Sequence, residues 1–172
     1  MKLYRYDNYR DLFPQLKGQE LTDALILKSI SDYGMDHAVY GVIRDHKGKP
    51  FLSSGSSVKE CISVSHCLDT FVCLISDENC GIDIQDQRNS DFMKIARRFF
   101  TKEEAELVNA EGAEMFYRLW TRKEAFAKYT GTGMAGVIRG EQVIDREDVD
   151  FEDSVMDNGM YLAICTPKKQ IE

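Results

Sequence analysis

The stretch Cys80-Gly81-Ile82-Asp83-Ile84 places one aspartate inside an otherwise apolar run. Its alternation with a period of two predicts a β-strand. An unpaired carboxylate buried in such a strand would be strongly unfavourable, so Asp83 needs a cation or hydrogen-bond donors. The alternative is a solvated carboxylate at a strand end or in a turn.

A second carboxylate lies about forty positions further along the chain. Apolar residues at helical spacing predict a helix over residues 113–129, and Glu124 borders its apolar stripe four positions after Trp120. Two inward carboxylates, Asp83 and Glu124, completed by water and substrate phosphates, are typical of a Mg²⁺ site. The alternative for Glu124 is an i,i+4 ion pair with Lys128, which contributes little to stability.

The remaining predicted elements form runs of helices and runs of strands along the chain. Helices are predicted over 21–33, over 92–99 and onward from Thr101, and strands over 39–44, 61–65, 70–76, 142–144, 149–151 and 160–165. Thr101-Lys102-Glu103-Glu104 matches a capping box, in which Glu104 reaches back to the amide of Thr101. Together these elements predict an α+β protein of two halves, residues 1–76 and 77–172, with a site drawn from both.

Composition excludes several classes of protein. The chain has 172 residues and a formal net charge of −7, which argues against general nucleic-acid binding. No apolar segment approaches the roughly 20 residues of a membrane span, and the first ten residues lack the apolar core of a secretory signal. We therefore expect a cytoplasmic protein that contacts no membrane. The five cysteines lack zinc-site spacing and are expected to be buried thiols.

Several basic residues nevertheless point to a local anionic ligand. Basic side chains cluster at positions 94–102 and 118–128, where they would suit a phosphorylated ligand or an acidic protein, although a solvated basic face is the commoner explanation. His66, with Ser65 before it, follows a strand at a position that suits phosphate contact, and a satisfied core histidine is the alternative. Lys49 is held between Gly48 and Pro50, where it is either a rigidly presented cation or a turn lysine. No phosphate-binding glycine loop and no nucleophile elbow occurs.

These motifs occur in an order that resembles the 4′-phosphopantetheinyl transferase superfamily over roughly residues 45–135. The matching stretches are Gly48-Lys49-Pro50, Ile62-Ser63-Val64-Ser65-His66-Cys67, Gly81-Ile82-Asp83-Ile84-Gln85, Phe99-Phe100-Thr101-Lys102-Glu103-Glu104 and Trp120-Thr121-Arg122-Lys123-Glu124-Ala125-Phe126-Ala127-Lys128. Because the first two precede the aspartate strand, the chain is most similar to the surfactin-synthetase type. That type implies a monomeric, pseudo-twofold fold of two similar α/β halves.

The resemblance also implies an activity and a set of site residues. The activity is Mg²⁺-dependent transfer of the 4′-phosphopantetheine arm of coenzyme A to a serine of an apo acyl or peptidyl carrier protein, with release of adenosine 3′,5′-bisphosphate. The implied metal ligands are Asp83, Glu124 and Gln85, and the implied catalytic residues are Glu104, as a further metal ligand or base, and Lys128, which would neutralise or protonate the leaving oxygen. The implied coenzyme A contacts are Lys49, Pro50, Ser65, His66, Lys123 and Lys128.

Three departures from the family pattern leave alternatives open. Gln85 stands where the family often has Glu, Cys67 stands where Ser is usual, and the N-terminal half looks short, so that Lys28 and Arg44 are only guesses for the 3′-phosphate contacts. A catalytically weak module that binds coenzyme A or a carrier protein is therefore the main alternative. A different Mg²⁺-dependent phosphotransferase acting on a nucleotide is a weaker one, because no phosphate loop is present.

Carrier proteins are acidic, so a basic surface is expected to receive them. The expected surface combines three cations with apolar side chains, namely Arg97, Arg98 and Lys102 with Phe99, Phe100, Met115 or Phe116. The sequence does not indicate which carrier, of fatty-acid, polyketide or peptide synthesis, is served.

Overall fold

Runs of helices and runs of antiparallel strands follow one another in the computed structural model, which describes residues 1–36, 39–54, 57–88, 90–133 and 140–169. The strands are β1 (Lys2–Asp7), β2 (Gly41–Arg44), β3 (Pro50–Ser54), β4 (Ser57–Cys67), β5 (Thr70–Ser76), β6 (Gly81–Gln85), β7 (Val149–Val155) and β8 (Tyr161–Pro167). The helices are α1 (Tyr9–Leu12), α2 (Gly18–Asp32), α3 (Phe92–Phe99), α4 (Lys102–Glu111) and α5 (Ala113–Thr130). The predicted α+β class is confirmed.

The first sheet is built from the strands between residues 2 and 76. Its order is β1-β5-β4-β3-β2, and every neighbouring pair is antiparallel. Helix α2 covers one face, because Leu25, Ile26 and Ile30 recur at helical spacing and are completely buried. They belong to a single apolar cluster with Ile62 and Phe71 of the sheet.

The second sheet has three strands, and helices α3, α4 and α5 lie between its first and second strands in the chain. Its order is β6-β8-β7, again antiparallel, and Asp83 lies opposite Ala163 in the register. Helix α5 packs along it, with Phe116 and Phe126 buried in a cluster that also includes Ala163 and residues of α3 and α4. The capping box predicted for α4 is confirmed.

Strand β6 forms the joint between the two sheets. Ile82 and Ile84 face an apolar cluster that includes Val72 and Leu74 of the first sheet. Residues on the alternate positions face α5, and a Cβ at Gly81 would lie 2.0 Å from the carbonyl oxygen of Ala125. The chain therefore presents Asp83 to α5 at the place where the two sheets meet.

Several local predictions differ from the structure. The edge strand β1 and the strand β3 were not predicted. The strand expected over 142–144 is wrong, because the amide of Val143 donates to the Glu104 carboxylate instead of to a neighbouring strand. Strand β6 follows β5 in the chain but pairs with β8 in the second sheet.

Three broader features of the structure bear on the sequence analysis. All five cysteines are buried and free, as expected. Within the described ranges, no helix has the length and apolarity that crossing a membrane requires. The boundary between residues 76 and 77 coincides with the change from the first sheet to the second, but the similarity of the two halves stays a prediction.

Candidate active site

A cleft of about 650 Å³ lies between the first sheet and helix α5. One wall comes from the β2–β3 turn and strand β4, and the other comes from the C-terminal half of α5 and the loop that follows it. The described residues lining it are Arg44, Lys47, Gly48, Lys49, Pro50, Ile62, Ser63, Val64, Glu124, Ala127, Lys128, Gly131, Thr132 and Gly133. The cleft thus draws on both parts of the chain, residues 1–76 and residues 77–172.

Asp83 lies buried beside this cleft, within reach of both walls. Its Oδ1 accepts a hydrogen bond from Ser65 Oγ at 2.7 Å and one from Lys128 Nζ at 2.8 Å. Lys128 Nζ also donates to the carbonyl oxygen of Ile82 at 2.9 Å. Ser65 and Lys128 therefore provide the hydrogen-bond donors and the positive charge that a buried carboxylate needs.

Glu124 is the second carboxylate, and it interacts electrostatically with the first. Its burial, followed by the negative charge of Asp83, raises the pKa of Glu124 to about 7, against the opposing effects of Lys128 and Trp120. A carboxyl group whose ionisation is disfavoured by burial and by a second negative charge favours an added cation beside it. Among the residues that the structure describes, no group of three or more His, Cys, Asp or Glu side chains is arranged to hold a metal ion. A cation there would take its other ligands from water and substrate.

Gln85 follows Asp83 by two positions in the same strand and is half-buried. Its Nε2 donates to the carbonyl oxygen of Asp86 at 3.0 Å, which leaves its amide oxygen unused by that bond. Gln85 does not line the cleft. An amide oxygen can serve as a ligand for Mg²⁺, but it brings no charge to the site.

Lys49 and Pro50 both line the cleft, and Lys49 joins its two walls. Lys49 Nζ donates to Asn79 Oδ1 at 2.8 Å and to the carbonyl oxygens of Tyr129 at 3.1 Å and Cys80 at 3.3 Å. The acceptor at Tyr129 lies near the C-terminus of α5, where a positive charge is favourable. The lysine of the turn therefore connects the first sheet to α5.

The sequence left some lining residues of the cleft unassigned. Arg44 was only a guess, yet it lines the cleft and is held by Asp23 and by the carbonyl oxygen of Gly48. Lys47 and Thr132 also line it and were not singled out. Their positions in the sequence could have indicated them, because Lys47 directly precedes Gly48-Lys49-Pro50 and Thr132 lies between Gly131 and Gly133 after α5.

His66 and Ser65 point to opposite sides of β4, because successive residues of a strand alternate. The ring of His66 lies 5.9 Å from that of Tyr9 and borders a separate cavity of about 410 Å³ that Arg10 and Lys17 also line. Partial desolvation lowers the pKa of His66, and the charges of Lys128 and Arg10 lower it further. The two residues predicted to act as a pair therefore face different places, because Ser65 contacts Asp83 and His66 borders this second cavity.

Glu104 and Lys123 form an ion pair that is completely buried. Lys123 Nζ lies 2.7 Å from Glu104 Oε2, and it also donates to the carbonyl oxygen of Glu141 at 2.5 Å. Glu104 accepts from the amides of Thr101 at 3.0 Å and Val143 at 2.7 Å. Neither side chain lines the cleft, so the structure does not bring these two residues together with Asp83 and Glu124.

Breaking this pair is expected to lower the free energy of unfolding. Lys123→Met leaves the carboxylate of Glu104 buried without its cation, so we expect a loss of about 3 kcal/mol. The double variant Glu104→Gln/Lys123→Met removes both charges and is expected to lose less than the sum of the two single variants. Urea unfolding of all four proteins measures the coupling, and additive losses would contradict it.

The chain is similar to known proteins over most of its length. The model of the 4′-phosphopantetheinyl transferase superfamily matches residues 79–160. The chain is 34% identical over 119 residues to a putative 4′-phosphopantetheinyl transferase of Synechocystis sp., covering 66% of the chain and 48% of that protein. It is 32% identical over 135 residues to the 4′-phosphopantetheinyl transferase AcpT of Salmonella typhimurium, covering 75% of the chain and 66% of that protein. A 4′-phosphopantetheinyl transferase of Bacillus subtilis is 28% identical over 138 residues, covering 78% of the chain and 59% of that protein. The chain therefore spans about half to two thirds of the length of these relatives.

Proposed function

Because the chain belongs to the 4′-phosphopantetheinyl transferase superfamily, we propose that it transfers the 4′-phosphopantetheine arm of coenzyme A to a serine of an apo acyl or peptidyl carrier protein. The serine oxygen would bond to the phosphorus that carries the pantetheine arm. The bond from that phosphorus to the bridging oxygen would break, adenosine 3′,5′-bisphosphate would leave, and the serine proton would be released. The observation that carries the proposal is the convergence of Asp83, Glu124 and Lys128 at one cleft.

The cleft suits coenzyme A in size and in charge. Its volume of about 650 Å³ lies within the range of small-molecule sites. Arg44, Lys47, Lys49 and Lys128 line it, although the chain as a whole carries a net charge of −7. This local concentration of cations supports a polyphosphate ligand, and Pro50, which also lines the cleft, offers an apolar contact for its nucleotide end.

The same geometry supports Mg²⁺ as the cofactor. Asp83 and Glu124 provide two hard oxygen donors that lie close enough for the charge of Asp83 to raise the pKa of Glu124. Bound there, Mg²⁺ would offset negative charge on the pyrophosphate of coenzyme A. Gln85 is the proposed third ligand, directly or through water.

Lys128 is proposed to stabilise the departing phosphate oxygen. Its ammonium lies at the cleft wall, 2.8 Å from Asp83 Oδ1, where it balances the charge of that carboxylate before substrate binds. Glu104 and Lys123 are proposed to hold α5 and the segment at Glu141 in place from within the protein. A role of Glu104 as a base requires access to the carrier serine that its burial does not provide.

Removing the Lys128 ammonium is expected to affect turnover more than binding. Lys128→Ala should lower kcat about 10-fold to 100-fold, because charge that develops in the transition state loses its donor, and should change KM for coenzyme A less than threefold. Steady-state kinetics with varied coenzyme A measures both parameters. Lys168→Ala, which removes an exposed lysine paired with Asp150, is the matched control. An unchanged kcat would reduce Lys128 to a structural partner of Asp83.

The proposed carrier surface lies on α3 and the start of α4. Arg97, Arg98 and Lys102 are exposed, and a shallow groove of about 510 Å³ exposes Phe100 beside Arg97 and Lys102. Phe116 is buried and stacks on Phe100 with ring centroids 5.4 Å apart, so it supports that surface from below. An acidic helix of a carrier protein would complement these charges.

Intact-protein mass spectrometry tests the proposed function directly. An apo carrier protein is incubated with this chain, coenzyme A and Mg²⁺, in parallel with a sample containing EDTA. We expect the carrier to gain one phosphopantetheine arm only without EDTA. No gain on several carrier types, with coenzyme A binding still measurable, would favour a binding module. Turnover restored by Gln85→Glu would then indicate a weakened enzyme.

A further inference from the structure

Strand β4 presents a row of three small polar side chains to the edge of β6 that β8 leaves unpaired. These side chains occupy alternate positions on β4, so they face the same side, and each accepts a hydrogen bond from an alternate amide of the β6 segment. The bonds join the Ile82 amide to Ser63 Oγ at 2.9 Å, the Ile84 amide to Ser65 Oγ at 3.3 Å, and the Asp86 amide to Cys67 Sγ at 3.3 Å.

Ser65 differs from the other two members of this row. Its oxygen accepts from the Ile84 amide while its hydroxyl donates to Asp83 Oδ1 at 2.7 Å. A serine hydroxyl has only one hydrogen, so this donation commits it to the carboxylate. The side chain is buried, with 7% relative exposure, and it does not line the cleft.

We propose that Ser65 is a positioning residue that fixes the Asp83 carboxylate for a divalent cation and makes no contact with coenzyme A. The inference rests on the proposed function, because it takes Asp83 as a metal ligand. A hydroxyl that donates to a ligating carboxylate fixes the orientation of that carboxylate. Ser65 and Lys128 both bond to Oδ1, so these bonds leave Oδ2 available to the cation.

Metal binding measured without turnover tests this inference. Mn²⁺ replaces Mg²⁺ as the probe, and electron paramagnetic resonance of free Mn²⁺ gives its dissociation constant for the full chain. Ser65→Ala is expected to weaken Mn²⁺ binding about 10-fold, as losses of such outer partners do. The affinity for coenzyme A, measured by calorimetry in EDTA, is expected to change less than twofold.

Ser63→Ala is the matched control, because it removes the same kind of bond to the neighbouring β6 amide without touching a carboxylate. It should cost similar stability in urea unfolding and leave Mn²⁺ affinity unchanged. Ser65→Thr keeps the hydroxyl and should retain most of the Mn²⁺ affinity. If Ser65→Ala folds poorly, the threonine variant still tests whether the hydroxyl is what Mn²⁺ binding requires.

The possible outcomes separate this inference from the proposed function. Mn²⁺ affinity weakened equally by Ser65→Ala and Ser63→Ala, or coenzyme A affinity lost in Ser65→Ala alone, would overturn the positioning role. Mn²⁺ binding that depends on Asp83 and Ser65, in a protein that modifies no carrier, would support the positioning role while the proposed function failed.

Discussion

Asp83→Ala and Glu124→Ala are each expected to reduce phosphopantetheine transfer by about 100-fold or more, which corresponds to about 2.7 kcal/mol of transition-state stabilisation. Each variant removes one of the two carboxylates proposed to hold Mg²⁺ beside the cleft. Glu124→Ala is not expected to cost stability, because it removes a half-buried acid whose pKa is raised by burial and by Asp83. Initial rates with an apo carrier protein at limiting Mg²⁺ provide the measurement, and circular dichroism checks that both variants fold.

The matched control for these variants is Glu114→Ala in the same helix. Glu114 is exposed at the opposite end of α5 and pairs with Arg118 at 3.5 Å. Removing it is expected to leave the transfer rate within twofold of the unmodified protein, since exposed pairs contribute little. Near-normal rates for Asp83→Ala or Glu124→Ala at limiting Mg²⁺ would remove the metal assignment from that residue.

Gly81→Ala is expected to destabilise the protein by at least about 3 kcal/mol, because α5 passes directly over this position. The added methyl group would lie 2.0 Å from the carbonyl oxygen of Ala125 and 2.6 Å from the amide nitrogen of Tyr129. Both are backbone atoms, so relief requires the whole helix to move away from β6. Because α5 carries Glu124 and Lys128, such a movement would also separate these side chains from Asp83. Urea unfolding measures the loss of stability.

Gly41→Ala is the control for this substitution, since an added Cβ there has no heavy atom of the described structure within 4 Å. Gly41 lies in β2, at the edge of the first sheet, and is exposed. We expect its unfolding free energy to change by less than about 1 kcal/mol. A Gly81→Ala protein as stable as Gly41→Ala would show that β6 and α5 are not in close contact.

The carboxylates of the site were predictable from the sequence because local patterns place them. The apolar alternation around Asp83 required a strand, and the apolar stripe beside Glu124 required a helix face that points inward. The capping box at Thr101 and Glu104 was equally local, because its two hydrogen bonds join residues three positions apart. Each of these features depends on residues that are only a few positions apart in the sequence.

The partners of these residues were not predictable in the same way. The sequence placed Ser65 beside His66 as a pair of phosphate contacts, but strand alternation sends Ser65 towards Asp83 and His66 towards Tyr9. Glu104 and Lys123 were expected near the metal and the phosphates, yet the loop at Val143 closes over them as a buried pair.

Most of the helices and strands, the family resemblance and the two carboxylates could be predicted, because periodicity and motif spacing are properties of neighbouring residues. Which side chains meet across long stretches of the chain depended on the packing of the folded protein. Lys49 reaches Tyr129 across 80 positions, and Asp83 reaches Lys128 across 45. Such contacts depend on how β6 packs between β4 and α5, and that packing is set by the combined burial of apolar surfaces from both sheets.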